Sequence, residues 1–206
     1  MLLEPQESQL VLVDYQTRLL PVIHEGPAVQ ANALRLVHLA RLFRVPVWAT
    51  VENPSGLGPT VPELDELIVL ASGKTLAKMH FSAVEEGLGE WLRPEQNQRV
   101  PQGNARSLPK HLQKPMTSPH LRNSVVISGC ETHVCLLQTA LDLLEDDFEV
   151  WVVTDASGSR TERNRDAAFD RLASAGAELV TTEMVAFEWL RTAEHPAFKE
   201  VLDLLR

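Results

Sequence analysis

The sequence predicts an α/β fold: a three-layer αβα sandwich on a mostly parallel, six-stranded sheet with helices on both faces. Two observations carry this. Short β-branched runs alternate regularly with longer amphipathic stretches, and that alternation implies right-handed βαβ crossovers and a sheet covered on both sides. The 206 residues suffice for one sizeable core but not for two, so a single domain over 1–206 is expected.

The elements follow in order. SQLVLVD, 8–14, reads as a buried strand ending on an acid, and 28–43 has apolar residues at helical spacing. VPVWAT, 45–50, is a second strand, PELDELIVL, 62–70, a short helix with proline at its entry, and KTLAK, 74–78, a third strand. From Arg93 to Asn123 proline, glutamine and asparagine accumulate without apolar periodicity, as in a long surface excursion or a connector holding a brief helix. Order returns with SVVISG, 124–129, as a strand and the stretch after it as a helix. FEVWVVTD, 148–155, is a strand, 161–176 a helix closed by Gly176, and AELVTT a last strand. One or two terminal helices follow, with His195-Pro196 marking a break.

Composition bounds the function. Hydrophobic content of 44% and charged content of 23% are those of a soluble globular protein, and no apolar run nears the ~18 residues of a membrane span. A formal charge of -9 argues against a nucleic-acid partner. MLLEPQESQL lacks the basic and apolar regions of a secretory signal, so a cytoplasmic location is expected. Cys130 and Cys135 read as reduced thiols, without Cys-x-x-Cys or zinc-ligand spacing.

In such sheets ligands gather at the carboxyl ends of the strands, and three reactive groups fall there. With Thr132 as N-cap, Cys135 lies in the first turn of a helix, whose free N–H groups and positive end favour a lowered thiol pKa and an oxyanion. The bland alternative is a small buried hydrophobe. Asp14 is a general base or a turn cap, and Lys78 a paired ammonium or a solvated one. Together they would supply a nucleophile, its base and a cation. Gln16, His80 and His133 are further candidates to line a substrate pocket, set against a solvated loop role for Gln16 and a surface or interface role for His133.

LVLVDYQ, KMHFSAV and SGCETHVCLLQTALDLLEDDFEVWVVTDASGSR, in this order, resemble the signature segments of the isochorismatase-like cysteine hydrolases, which include nicotinamidases and N-carbamoylsarcosine amidohydrolases. The resemblance spans nearly the whole chain apart from 93–123. It implies Asp14 as base, Lys78 as the second member of a triad, with Lys74 its competitor, and Cys135 as nucleophile. It further implies a cis peptide between Cys130 and Glu131, with oxyanion donors from the backbone of Glu131 or Thr132 together with Cys135. Assembly into a homo-oligomer, a dimer or larger, is implied too, with Phe187, Trp189 and Phe198 as interface or core.

Two departures narrow the expectation. The Asp-x-His metal motif of nicotinamidases is replaced by ATVENPSG, with Glu52 but no histidine nearby, so no metal or other cofactor is expected. Isochorismatases proper lack the nucleophilic cysteine, so Cys135 points toward the amidase side. The expected function is hydrolysis of a C–N bond in a small amide-like substrate through an acyl-enzyme; the alternative is a non-catalytic binding or scaffold protein of the same fold.

Overall fold

The computed structural model describes residues 2–94 and 122–206. Six strands form one sheet: β1 Ser8–Val13, β2 Val47–Glu52, β3 Lys74–Lys78, β4 Ser124–Gly129, β5 Glu149–Val153 and β6 Glu178–Val180. Their order is β3-β2-β1-β4-β5-β6, and every pairing is parallel. The chain starts at the centre, winds outward to β3, returns to the centre as β4 and winds the other way to β6. This doubly wound order puts a switch point between β1 and β4, where adjacent connections leave to opposite faces and open a crevice.

Parallel strands covered on both faces read as continuous apolar runs, and β1, SQLVLV, is buried at every position. Its alternate side chains serve two cores. Leu10 and Leu12 join Ala49, Val126 and Val153 on one face, while Val11 and Val13 join Val125, Ile127 and Val152 on the other. The first face is covered by α1 Gly26–Phe43, α3 Pro62–Leu70, α7 Thr182–Leu190 and α8 Phe198–Leu205. The second is covered by α4 Leu88–Leu92, α5 Leu137–Glu145 and α6 Glu162–Ala175. In α1, Val29, Ala33, Leu36, Val37 and Ala40 form the buried stripe. Thr161 caps α6 by accepting from the Asn164 N–H, and Gly176 closes that helix in the left-handed conformation.

The expected strands are all present, within a few residues at their ends. The terminal stretch forms two helices, broken at 191–197. Trp189 is core, whereas Phe187 is exposed. Two short helices went unread in the sequence, α2 Pro54–Leu57 and α4, because one turn leaves too few residues for a periodic signal. One expectation is corrected: Thr132 does not cap a regular helix. A widened π-turn over Thr132–Leu136 precedes α5, with Glu131 at the cap position and no side-chain cap bond. Residues 95–121 of the expected excursion lie outside the described residues. No helix among the described residues is long and apolar enough to cross a membrane.

The central pair of strands closes tightly. Gly129 ends β4 at φ 153°, and a Cβ there would sit 2.2 Å from the Val13 carbonyl oxygen of β1. Gly129→Ala is expected to lower stability by about 3 kcal/mol or more, from the clash and the disfavoured backbone together. A urea titration showing less than ~1 kcal/mol of loss would contradict this account of the strand approach.

Candidate active site

The site lies where β1, β2, β3 and β4 deliver their carboxyl ends. Asp14 follows β1 directly, at φ 55°, a conformation that aspartate tolerates better than most residues. Its N–H donates to the Thr50 carbonyl at 3.2 Å, and its Oδ1 accepts from the Thr50 hydroxyl at 2.7 Å. The carboxylate is thereby fixed from β2, where Thr50 is in register with Val13. Its Oδ2 is buried and lies 2.8 Å from Lys78 Nζ, an ionic contact without the alignment of a hydrogen bond.

Lys78 ends β3 with its side chain wholly buried. Its ammonium donates to Glu52 Oε2 at 2.8 Å, to the Phe81 carbonyl at 3.1 Å and to the His80 carbonyl at 3.3 Å. Burial alone would lower the pKa of this ammonium, but Asp14, Cys135 and Glu52 outweigh burial and raise it. Lys74, at the opposite end of the strand, stands over the Trp48 and Trp91 rings at 5.9 Å from each centroid. It is not the lysine beside the acids.

Cys135, in the π-turn, is 5% exposed. Its sulfur, one oxygen of Asp14 and one of Glu52 all lie within 4.8 Å of one another. The expected lowering of the thiol pKa is reversed. Burial, then Asp14 and to a smaller extent Glu52 push it well above its ordinary value, and Lys78 opposes them only in part. Cys130, fully buried in the core, is also raised, by burial and Asp14.

The turn between β4 and Cys135 is tied down by the loop at 157–160. The Cys130–Glu131 peptide is cis. Gly158 N–H donates to the Gly129 carbonyl at 3.1 Å, and Thr132 N–H donates to the Gly158 carbonyl at 2.8 Å. That second bond removes Thr132 from the expected oxyanion donors. The Glu131 N–H has no hydrogen-bond partner among the described residues. The Glu131 side chain also matters: it accepts from Arg160 N–H at 3.0 Å and from Arg160 Nε at 2.9 Å, holding the turn against the loop.

Three expected pocket residues are placed differently. Gln16 is fully buried and spends its amide on the backbone, donating to the carbonyls of Glu52 and Gly58 while accepting from Glu52 N–H. It therefore positions Glu52 and is not a group free for substrate. His80 is on the surface, paired at 2.8 Å with Glu86, and lines an outer groove with Met79, Phe81 and Arg171, away from the Asp14–Lys78 pair. Glu86, through its hydrogen bond, raises the imidazole pKa. His133 is half-buried, its ring nitrogens engaged with Ser159 Oγ and Asn164 Nδ2.

Glu52 is the group that the sequence reading missed. It closes an apolar strand just as Asp14 does, a signal that only the search for a metal motif touched. Asp14, Glu52 and Cys135 are spaced as cation ligands, but Lys78 Nζ stands 2.8 Å from both carboxylates. The lysine supplies the positive charge that a metal would bring, so the donor set does not fit an ion as well.

An acid, a lysine and a cysteine thus gather at the switch point of a doubly wound, three-layer α/β fold. Comparison with known proteins makes it specific. Residues 108–184 match the isochorismatase domain. Isochorismatase domain-containing protein 2A of Mus musculus is 35% identical over 203 residues, 98% of this chain and 84% of its own. A solved structure described as MAR1 ribonuclease from Caenorhabditis elegans superposes with a TM-score of 0.81 at 30% identity, covering 100% of this chain and 92% of that one. YcaC from Pseudomonas aeruginosa, solved with hexane-2,5-diol and covalent acrylamide, gives 0.80 at 26%, covering 98% and 91%. YcaC from Escherichia coli, an octameric hydrolase of unknown specificity, gives 0.78 at 27%, covering 100% and 98%. The chain belongs to the isochorismatase family.

The raised thiols set a pH dependence. Both cysteines bind their proton more tightly folded than unfolded, so their contribution to stability is intact below about pH 8.5 and is lost as pH rises beyond it. Tyr15, raised by burial, adds the same sign above about pH 10. The urea midpoint is expected to decrease as the pH is raised from about 7.5 to about 10, across the free-thiol pKa. A midpoint that rises over that interval would contradict the assignment.

Proposed function

We propose that this chain is a cysteine hydrolase that cleaves a C–N bond of a small amide-like molecule, with Asp14, Lys78 and Cys135 as its triad. The observation that carries the reading is a buried ammonium 2.8 Å from the Asp14 carboxylate, with the Cys135 sulfur within 4.8 Å of an oxygen of that acid. Charges so deep are rare unless paired and put to use.

The Cys135 thiol gives its proton to Asp14 as the sulfur attacks the substrate carbonyl carbon. The carbonyl oxygen becomes an oxyanion held by the backbone N–H groups of Glu131 and Cys135. Collapse of the intermediate breaks the C–N bond, Asp14 returns the proton to the leaving nitrogen, and ammonia or an amine departs. A thioester remains on Cys135. Water then gives a proton to Asp14 and adds to the thioester, and collapse releases the acid and restores the thiol. Lys78 stays an ammonium throughout and holds the base in place. No metal or other cofactor takes part.

Covalent acrylamide on the related YcaC is in keeping with a reactive nucleophile in this fold, since acrylamide alkylates nucleophiles at its alkene carbon and keeps its amide intact. The octameric YcaC of Escherichia coli supports a homo-oligomer here, acting in the cytoplasm as one domain on a small molecule. The ribonuclease description of the nematode relative finds less support: a net charge of -9 repels phosphates, and the sulfur is nearly enclosed.

Ammonia release from a panel of small amides and ureides tests the proposal. Cys135→Ala is expected to abolish turnover with a melting temperature within about 4 °C of the parent. Asp14→Asn is expected to lower kcat by about 10²- to 10⁴-fold. Undiminished activity in the cysteine variant would rule out the mechanism, and a parent that turns over none of the panel while binding its members would favour the scaffold alternative.

A further inference from the structure

Two carboxylates, not one, face Lys78. Glu52 ends β2 directly opposite Lys78 in the parallel register, and its Oε2 accepts from Lys78 Nζ at the same 2.8 Å that separates Nζ from Asp14. Gln16 pins the Glu52 backbone at both its N–H, 2.9 Å, and its carbonyl, 2.8 Å. The Glu52 side chain is 9% exposed. A buried lysine supported by one acid would balance to neutrality; this cluster carries a second acid, so the ammonium offsets the negative charge beside the sulfur only in part.

We propose that Glu52 is a positioning residue of this site: it shares the Lys78 ammonium with Asp14, fixes that ammonium between the two acids, and sets a second negative charge beside Cys135 that the ammonium does not fully offset. The inference rests on the reading of Cys135 as nucleophile. The charged groups facing the sulfur are Asp14 from the end of β1, Glu52 from β2 and Lys78 from β3. In the preceding turn, Glu131 is already paired with Arg160. Ionising Cys135 would add a further negative charge within 4.8 Å of two others, so the cluster holds the thiol neutral. The sulfur then becomes nucleophilic only as Asp14 takes its proton during attack. The consequence is a cysteine protected from indiscriminate alkylation and oxidation at rest, since the thiolate is the reactive form.

The test is the pH profile of Cys135 alkylation by iodoacetamide, followed by peptide mass spectrometry on the full chain in the parent, Glu52→Gln and Glu52→Asp. Glu52→Gln keeps the shape and a hydrogen-bond acceptor for Lys78 but removes one negative charge. Its profile is expected to move to lower pH by about one unit, about a tenfold faster reaction at fixed pH below the midpoint. Glu52→Asp keeps the charge and is expected to stay near the parent. An unmoved profile in folded Glu52→Gln, or equal shifts in both variants, would overturn the proposal. Circular dichroism melts establish that each variant is folded. Because alkylation is read without substrate, the outcomes separate: a shifted profile together with full activity in Cys135→Ala would keep the electrostatic role and discard the hydrolase reading.

Discussion

The Lys78 ammonium, held at 2.8 Å from both Asp14 and Glu52 in the interior of the protein, is the interaction on which the rest of the site depends. Removing a lysine and two acids from water costs several kcal/mol per ion, and the cost is offset only when geometry and the remaining hydrogen bonds are satisfied. Here they are satisfied from several directions. The His80 and Phe81 carbonyls take further lysine protons, the Thr50 hydroxyl serves Asp14, and Gln16 fixes the Glu52 backbone. Each partner comes from a strand end or from the loop just beyond one, so assembling the cluster requires the sheet to be in register across β1, β2 and β3.

The topology explains why these groups meet. A doubly wound sheet sends successive connections to opposite faces at its switch point, and β1 and β4 flank that point. Asp14 leaves one of these strands and the turn to Cys135 leaves the other. Gly129 permits the close approach of β4 to Val13, and the loop at 157–160 braces the turn through Gly158 and Arg160. The side chains of the candidate site are thus carried by short segments, while the two cores on either side of the sheet supply a frame for them. His80 lies on the surface of that frame, in a groove of its own.

Much of this was legible in the sequence. Continuous apolar runs such as SQLVLV and SVVISG are strongly patterned because both faces of the strand are buried, and an acid or lysine at the end of such a run stands out. Asp14 drew notice on that basis, Lys78 and Cys135 by their places at a strand end and a helix start, and it was resemblance that set the three apart from their bland alternatives. Local geometry was less readable. Thr132 looked like a helix cap, but its amide is drawn to Gly158, a residue 26 positions away that no local pattern links to it. The expected low thiol pKa failed for a related reason: a helix start favours the thiolate, whereas the burial and the two acids that oppose it come from elsewhere in the fold. Glu52 was hidden because its neighbours in sequence suggested only a missing metal motif, and its role emerges from the register with Lys78.

The most direct measurement of the central claim is the intact mass of the protein quenched with acid during steady-state turnover of a small amide. The account predicts an added mass equal to the acyl group, mapped to Cys135, formed in the parent and undetectable in Asp14→Asn. Turnover with no adduct at any time, or an adduct mapped to Cys130, would contradict it.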